Sequence, residues 1–317
     1  MFRNIYKTLV IGLLLLSPLS YLPAQQLSNA VKVLKQEFNL VPPHSKDVQY
    51  FDMVSKLQQH APDGTPLGWD VYHLSLRCIP SADPSVGDEY TCLKFSVKLH
   101  DSAEVLIPSL TNWKYHFKLT DSAKDSHGQV FGIDHSKFEN LTDENGKKLP
   151  IANTYAVYNA FIDFHSMSVF ADRSEGGKGA QNLHHIGDKV IHSASFSQPP
   201  VNLGSQIAEG SYFKNGEITL SFKGLGLVNQ KACGILGYDS GESSFYMLMK
   251  PMANMEITTK GSSHYWGDIY KDLSSGWIQK ATLHEMVVSQ TTIPGMTSKT
   301  NSVVERSIVI KNVKMKK

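Results

Sequence analysis

Thr91-Cys-Leu-Lys-Phe-Ser-Val-Lys-Leu99 decides the fold class. Leu93, Phe95, Val97 and Leu99 alternate with Cys92, Lys94, Ser96 and Lys98, a period of two that only a strand can convert into an apolar and a polar face. Outward from this stretch the pattern repeats. Tyr72 to Cys78 precedes it, and Trp113 to Leu119 alternates in the same way. Ile218, Leu220 and Phe222 alternate after Asn215-Gly216, and Asn145-Gly146 is a second tight-turn dipeptide. Further strands are expected at Tyr155 to His165, Val190 to Phe196, Ala232 to Tyr238, Ser244 to Lys250, Met255 to Lys260, Tyr265 to Asp272, Trp277 to Val288 and Val303 to Ile310. Short strands separated by Gly, Asn and Ser turns predict a mainly β protein: curved antiparallel sheets, or two β units.

Helical periodicity is confined to the N-terminal side. Leu27, Ala30, Val31, Leu34 and Phe38 fit a helix ended by Pro42-Pro43, and Val48, Phe51, Val54 and Leu57 fit a second over Asp47 to His60. Ahead of them, Met1 to Ala24 has the build of a secretory leader: Arg3 and Lys7, then apolar Leu9 to Leu16, then Pro18, Pro23 and a terminal small residue. The apolar core is too short for an anchor, which needs about 20 residues. No second spanning run follows, so no transmembrane segment is expected after cleavage, and the mature chain is expected in the periplasm or outside the cell. The expected organisation is a leader at 1–24, a helical segment at 25–66 and a first β unit at 67–170. A polar Gly/Ser/Asp/His junction at 171–187, a second β unit at 188–312 and a basic tail at 313–317 complete it.

The chain has 31 Lys and Arg against 29 Asp and Glu, a net charge of +2, which supplies no field to attract nucleic acid. It has three cysteines. In an exported chain, Cys78 and Cys92 flank a loop of about 15 residues, and a bridge closing that hairpin is expected, leaving Cys233 as a buried thiol.

Four constellations are candidates for chemistry. Asp163 and His165 lie two apart, on one face if they are in a strand, and with His184 and His185 downstream they offer a zinc-compatible set, although no standard zinc spacing is present. Met247, Met249, Met252 and Met255 fit core packing, the wall of an apolar cavity, or soft Cu(I) ligation. Tyr265, Trp266, Tyr270 and Trp277 could line a cavity or a carbohydrate-facing surface. Ser211 to Lys214 matches S-x-x-K, but the following Asn215-Gly216 excludes the helix that motif requires. Gly224-Leu-Gly226 is too short for a phosphate loop, and no cofactor is implied.

In the last hundred residues, Lys231-Ala-Cys-Gly leads to a strand ending Gly-Asp-Ile-Tyr270, then Asp-Leu-Ser-Ser-Gly276 at a turn and the long strand Trp277 to Gln290. This layout resembles secreted bacterial β-rich proteins and is similar to the half-barrel sheets of periplasmic lipoprotein carriers. The resemblance implies a curved sheet enclosing an acyl chain, with a helix on its concave face. Leu27 to Phe38 is the stretch available for that helix. It rests on layout, so it assigns no residues.

The leading expectation is a non-enzymatic cell-envelope protein binding an apolar or lipid-like ligand, with Met247, Met249, Tyr265, Trp266 and Trp277 as its contacts. The alternatives are a structural or protein-interaction module of the envelope, a hydrolase built around Asp163, His165 and His185, and a metal carrier.

Overall fold

The computed structural model describes residues 32–314 except 84, 118–129, 175–176, 194–196, 199–200, 204–206, 253–254 and 297. The expected leader at 1–24 and the end of the expected basic tail lie outside the described residues. The chain divides into two compact units, Met1–Gln36 and Glu37–Lys317. Of the first, residues 32–36 are described, with one helical turn at 32–34; the remainder of the helix expected from Leu27 lies outside the described residues or, at Phe38, outside helix.

The second unit is built on one open antiparallel sheet. In chain order its strands are β1 (Gln49–His60), β2 (Pro66–Ile79), β3 (Asp88–Leu99), β4 (Val105–Leu106), β5 (Lys114–Phe117), β6 (Lys189–Ile191) and β7 (Ser197–Gln198). They continue with β8 (Tyr212–Lys214), β9 (Thr219–Val228), β10 (Lys231–Asp239), β11 (Ser243–Met252), β12 (Met255–Asp272), β13 (Ile278–Thr292) and β14 (Thr300–Asn312). The main path runs β4-β3-β2-β1-β14-β13-β12-β10-β9-β6, with β11 and β8 extending from β12. The expected strands of both halves therefore join one sheet, and the stretch 171–187 leads from a helix into β6 without separating two β units.

Two expectations about element type are corrected. Residues 49–60 form β1, an interior strand between β2 and β14. Phe51, Met53 and Ser55 are buried at period two, while Phe51, Val54 and Leu57 also fit a helical period. Pairing on both edges decides in favour of the strand. Conversely, Tyr155 to His165 lies in α1 (Ile151–Ala171), a 21-residue helix led in by Pro150 and free of internal Gly or Pro. Eleven of its residues are buried, spread around the helix, so its apolar pattern carries no clear 3.6 period.

The helix α1 crosses one face of the sheet. Asn153, in its first turn, donates its amide to Asp70 Oδ2 at 3.1 Å and to the Tyr72 hydroxyl at 2.8 Å, both on β2. At the other end, Lys271 of β12 is fully buried and donates to the carbonyl of Ala171 at 2.7 Å and to Asp172. A cation on the last carbonyls satisfies acceptors the helix cannot. Between these pins, Phe161 stacks on Phe95 at 5.7 Å, and Phe164 meets Phe51 and Tyr90 edge-on.

The expected disulfide is absent: Cys78 and Cys92 are free, buried thiols. A bulge at Ser75/Leu76 sets Cys78 opposite Tyr90 and Cys92 opposite Leu76. The two cysteines are thus diagonal neighbours, for which Cα atoms lie about 7–8 Å apart, beyond the usual reach of a bridge. Among the described residues no helix is long and apolar enough to cross a membrane.

Candidate functional site

A cavity of about 410 Å³ lies between α1 and the sheet. From the helix come Tyr155, Tyr158, Ile162, Asp163, Ser166 and Phe170; from the sheet come Phe213, Phe245, Met247, Tyr265, Leu283, Glu285 and Arg306. Val201 closes one side. Its segment is tied down by Tyr155, whose hydroxyl donates to the Val201 carbonyl at 2.9 Å and accepts from the Leu203 amide at 3.1 Å.

The sheet side follows from register. Leu57 pairs with Arg306, Arg306 with Glu285, and Glu285 with Tyr265, so these side chains form one transverse row beneath the helix. In β13 Glu285 interrupts Leu283 and Val287, and in β14 Arg306 interrupts Val304 and Ile308, so each puts a charge on an otherwise apolar face. Arg306 Nε donates to Glu285 Oε2 at 2.7 Å, and Nη2 lies 2.5 Å from the same oxygen. Nη1 and Nη2 reach the two oxygens of Asp163 on α1, the latter at 3.4 Å. The three side chains are 11–15% exposed.

Burial pushes the Asp163 carboxyl up to about 6, with Arg306 opposing the shift only in part. Tyr265 is also raised by burial, with Glu285 and Asp163 adding to the effect. Its hydroxyl donates to Asn215 Oδ1 at 2.9 Å. Tyr158 lines the wall, and its buried hydroxyl has no hydrogen-bond partner among the described residues.

Of the expected apolar-ligand contacts, Met247 and Tyr265 reach the cavity. Met249 is half-buried, bridged to Ile207, and does not line it. Trp266 is on the opposite sheet face, 40% exposed and stacked on His284 at 5.9 Å. Trp277 is packed against His44 and Phe51 and donates its indole N–H to the Ser45 carbonyl at 3.0 Å.

The expected metal set is dispersed. In a helix, residues two apart point about 200° from one another. Asp163 therefore meets Arg306, while His165 is buried among Tyr90, Tyr115, Phe117 and Phe164, accepting or donating at Tyr115 Oη over 2.9 Å. Burial lowers the His165 imidazole to about 3. The His184 and His185 amides both donate to Asp188 Oδ2 in a separate loop. Among the described residues no group of three or more His, Cys, Asp or Glu is arranged to hold a metal. The hydrolase grouping of Asp163, His165 and His185 is dispersed by the same geometry.

Arg306 and Glu285 escaped the sequence reading, although a charge on the inward face of a strand was their visible signal. The chain matches no protein-family model, and no curated protein matches it significantly.

Proposed function

We propose that this protein is a non-enzymatic binding protein that holds an apolar or lipid-like ligand between α1 and the sheet. The cavity of about 410 Å³ carries the reading. It has the size of small-molecule sites, and its wall is largely aliphatic and aromatic with a few convergent polar groups, the composition that binds by apolar burial and orients by hydrogen bonds. A helix laid across one face of an open antiparallel sheet supports the likeness to lipoprotein-carrier half-barrels. The helix in that position is α1, in place of the expected N-terminal stretch. The leader at Met1 to Ala24 supports an exported, cell-envelope location.

Binding of the neutral fluorophore N-phenyl-1-naphthylamine to the full chain tests the proposal. The native chain is expected to bind it, and Met247→Trp, which fills the cavity from β11, is expected to weaken binding by about tenfold or more. A native chain that leaves the dye unbound, or a folded Met247→Trp chain that binds it as tightly, overturns the reading.

A second reading has one observation in its favour. Trp266, Met286 and Val288 are exposed together on the outer face of β12 and β13. Such a patch suits a protein-interaction module of the envelope, and a stable partner recovered with the native chain but lost with Trp266→Ser would favour it.

A further inference from the structure

We infer that the cavity is built for an apolar chain whose polar end is a protonated amine, and that it discriminates against carboxylate and phosphate ends. This rests on the proposed binding function and adds the chemistry of the ligand's head.

Among the described residues, the charged groups of the cavity wall are Asp163, Glu285 and Arg306, two negative and one positive. That cation already commits four of its N–H donors to the two carboxylates. A guanidinium has five N–H donors. Nε and Nη2 of Arg306 engage Glu285, and Nη1 and Nη2 engage Asp163. An incoming anion would compete with two carboxylates already held, in a site of low dielectric that carries a net negative charge. The acceptors are less fully used. Glu285 Oε2 takes both bonds from Arg306, whereas Glu285 Oε1 has no hydrogen bond among the described residues. The Tyr158 ring lines the same wall, but its hydroxyl is sealed from the cavity, so the free acceptor offered to a ligand head is Glu285 Oε1. An ammonium carries three donors and one positive charge. It can serve that acceptor and bring the charge of the wall to zero.

The test is a matched series of twelve-carbon probes, dodecylamine, dodecanol and dodecanoate, titrated calorimetrically into the full chain stripped of lipid. The chain as a whole is +2, so bulk attraction would favour the anion and cannot produce the expected result. Dodecylamine is expected to bind at least about tenfold more tightly than dodecanoate. In Glu285→Gln that ratio is expected to fall below about threefold, since the wall is then neutral. Asp163→Asn makes the same neutralisation from the helix should Glu285→Gln fail to fold. If dodecanol binds but dodecanoate matches or exceeds dodecylamine, the head assignment is wrong and the apolar cavity stands. A preference for the amine that both neutral variants retain also overturns the assignment. If none of the three probes binds, the cavity reading itself fails.

Discussion

Asp163 on α1 and Arg306 on β14 are joined by a charged hydrogen bond across 143 residues of sequence. Glu285 grips the other side of the same guanidinium. The helix is therefore tied to the sheet not only at its two ends but also at the cavity, and by groups that are expensive to bury alone.

Removing the cation alone should be severe. Arg306→Met leaves Asp163 and Glu285 facing one another without a counter-charge, and a loss of about 3–5 kcal/mol in unfolding free energy is expected from urea denaturation at neutral pH. The triple change Asp163→Asn, Glu285→Gln, Arg306→Met should recover most of that loss. A mild effect of the single change would mean that the pair is open to water.

Acid titration separates three groups by sign. The Asp163 carboxyl is raised to about 6, so between 3.8 and 6 the folded chain holds more protons than the unfolded one, and this group makes stability fall as pH rises through that window. His165 is lowered from 6.5 to about 3 by burial, so between those values the unfolded chain binds more protons and stability falls as pH drops. Burial works to raise Asp172, but Lys271 and His44 outweigh it and hold the carboxyl well below its usual range. Its contribution is present above 3.8 and is lost as pH falls further. Urea midpoints against pH should therefore tilt in opposite directions for Asp163→Asn and His165→Phe. Parallel shifts would refute the assignment.

Lys271 should be essential to the C-terminal half of α1. Lys271→Met removes the donor to the Ala171 carbonyl and leaves Asp172 with His44 alone as its cationic partner among the described residues. A loss of about 3–5 kcal/mol is expected, with hydrogen exchange rising first in residues 167–171. Uniform loss of protection along the helix would show that the pin is not local.

The thiols should be unreactive in the native state. Burial pushes the Cys92 thiol up to about 12 and the Cys78 thiol higher still. With Cys233 also buried and free, three thiols should titrate with Ellman's reagent after unfolding in guanidinium and essentially none before. An intact mass two units below the reduced value would instead demonstrate a bridge.

The strands were legible wherever one face was solvated. β3 and β9 show an alternation that the residue types alone reveal, although in β3 it breaks at the bulge, where Leu93 is exposed and Cys92 buried. β1 and α1 were misread for related reasons. In β1, Phe51 and Leu57 fit a period of two, while Phe51 with Val54 and Val54 with Leu57 fit helical i, i+3 spacing, so only the neighbouring strands settle the matter. In α1, burial spread around the helix erased the polar stripe, and Phe-Ile-Asp-Phe-His165 taken alone reads as a strand. Its length without Gly or Pro, and Ala152, Ala156 and Ala160, were the better guide. The hairpin between β9 and β10 also went unnoticed, because Asn229-Gln230 adopts positive φ at 51° and 63° without a glycine. As for the cavity, Met247 and Tyr265 were found by type, whereas Arg306 and Glu285 acquire meaning only once β13, β14 and α1 are brought together.

The pairing of β1 with β14 has a consequence for how the molecule comes into being. Phe51 lies opposite Asn312, so the seam in the middle of the sheet joins its earliest and latest strands. Half of the sheet on either side is complete without the other, but the continuous surface beneath α1 is not. The seam cannot close until β14 reaches β1, whatever the order in which the strands between them form. Closing a contact between strands so far apart in sequence carries a loop-closure cost that the local hairpins avoid. The cavity that Arg306 helps to line is thus incomplete until β14 is in place.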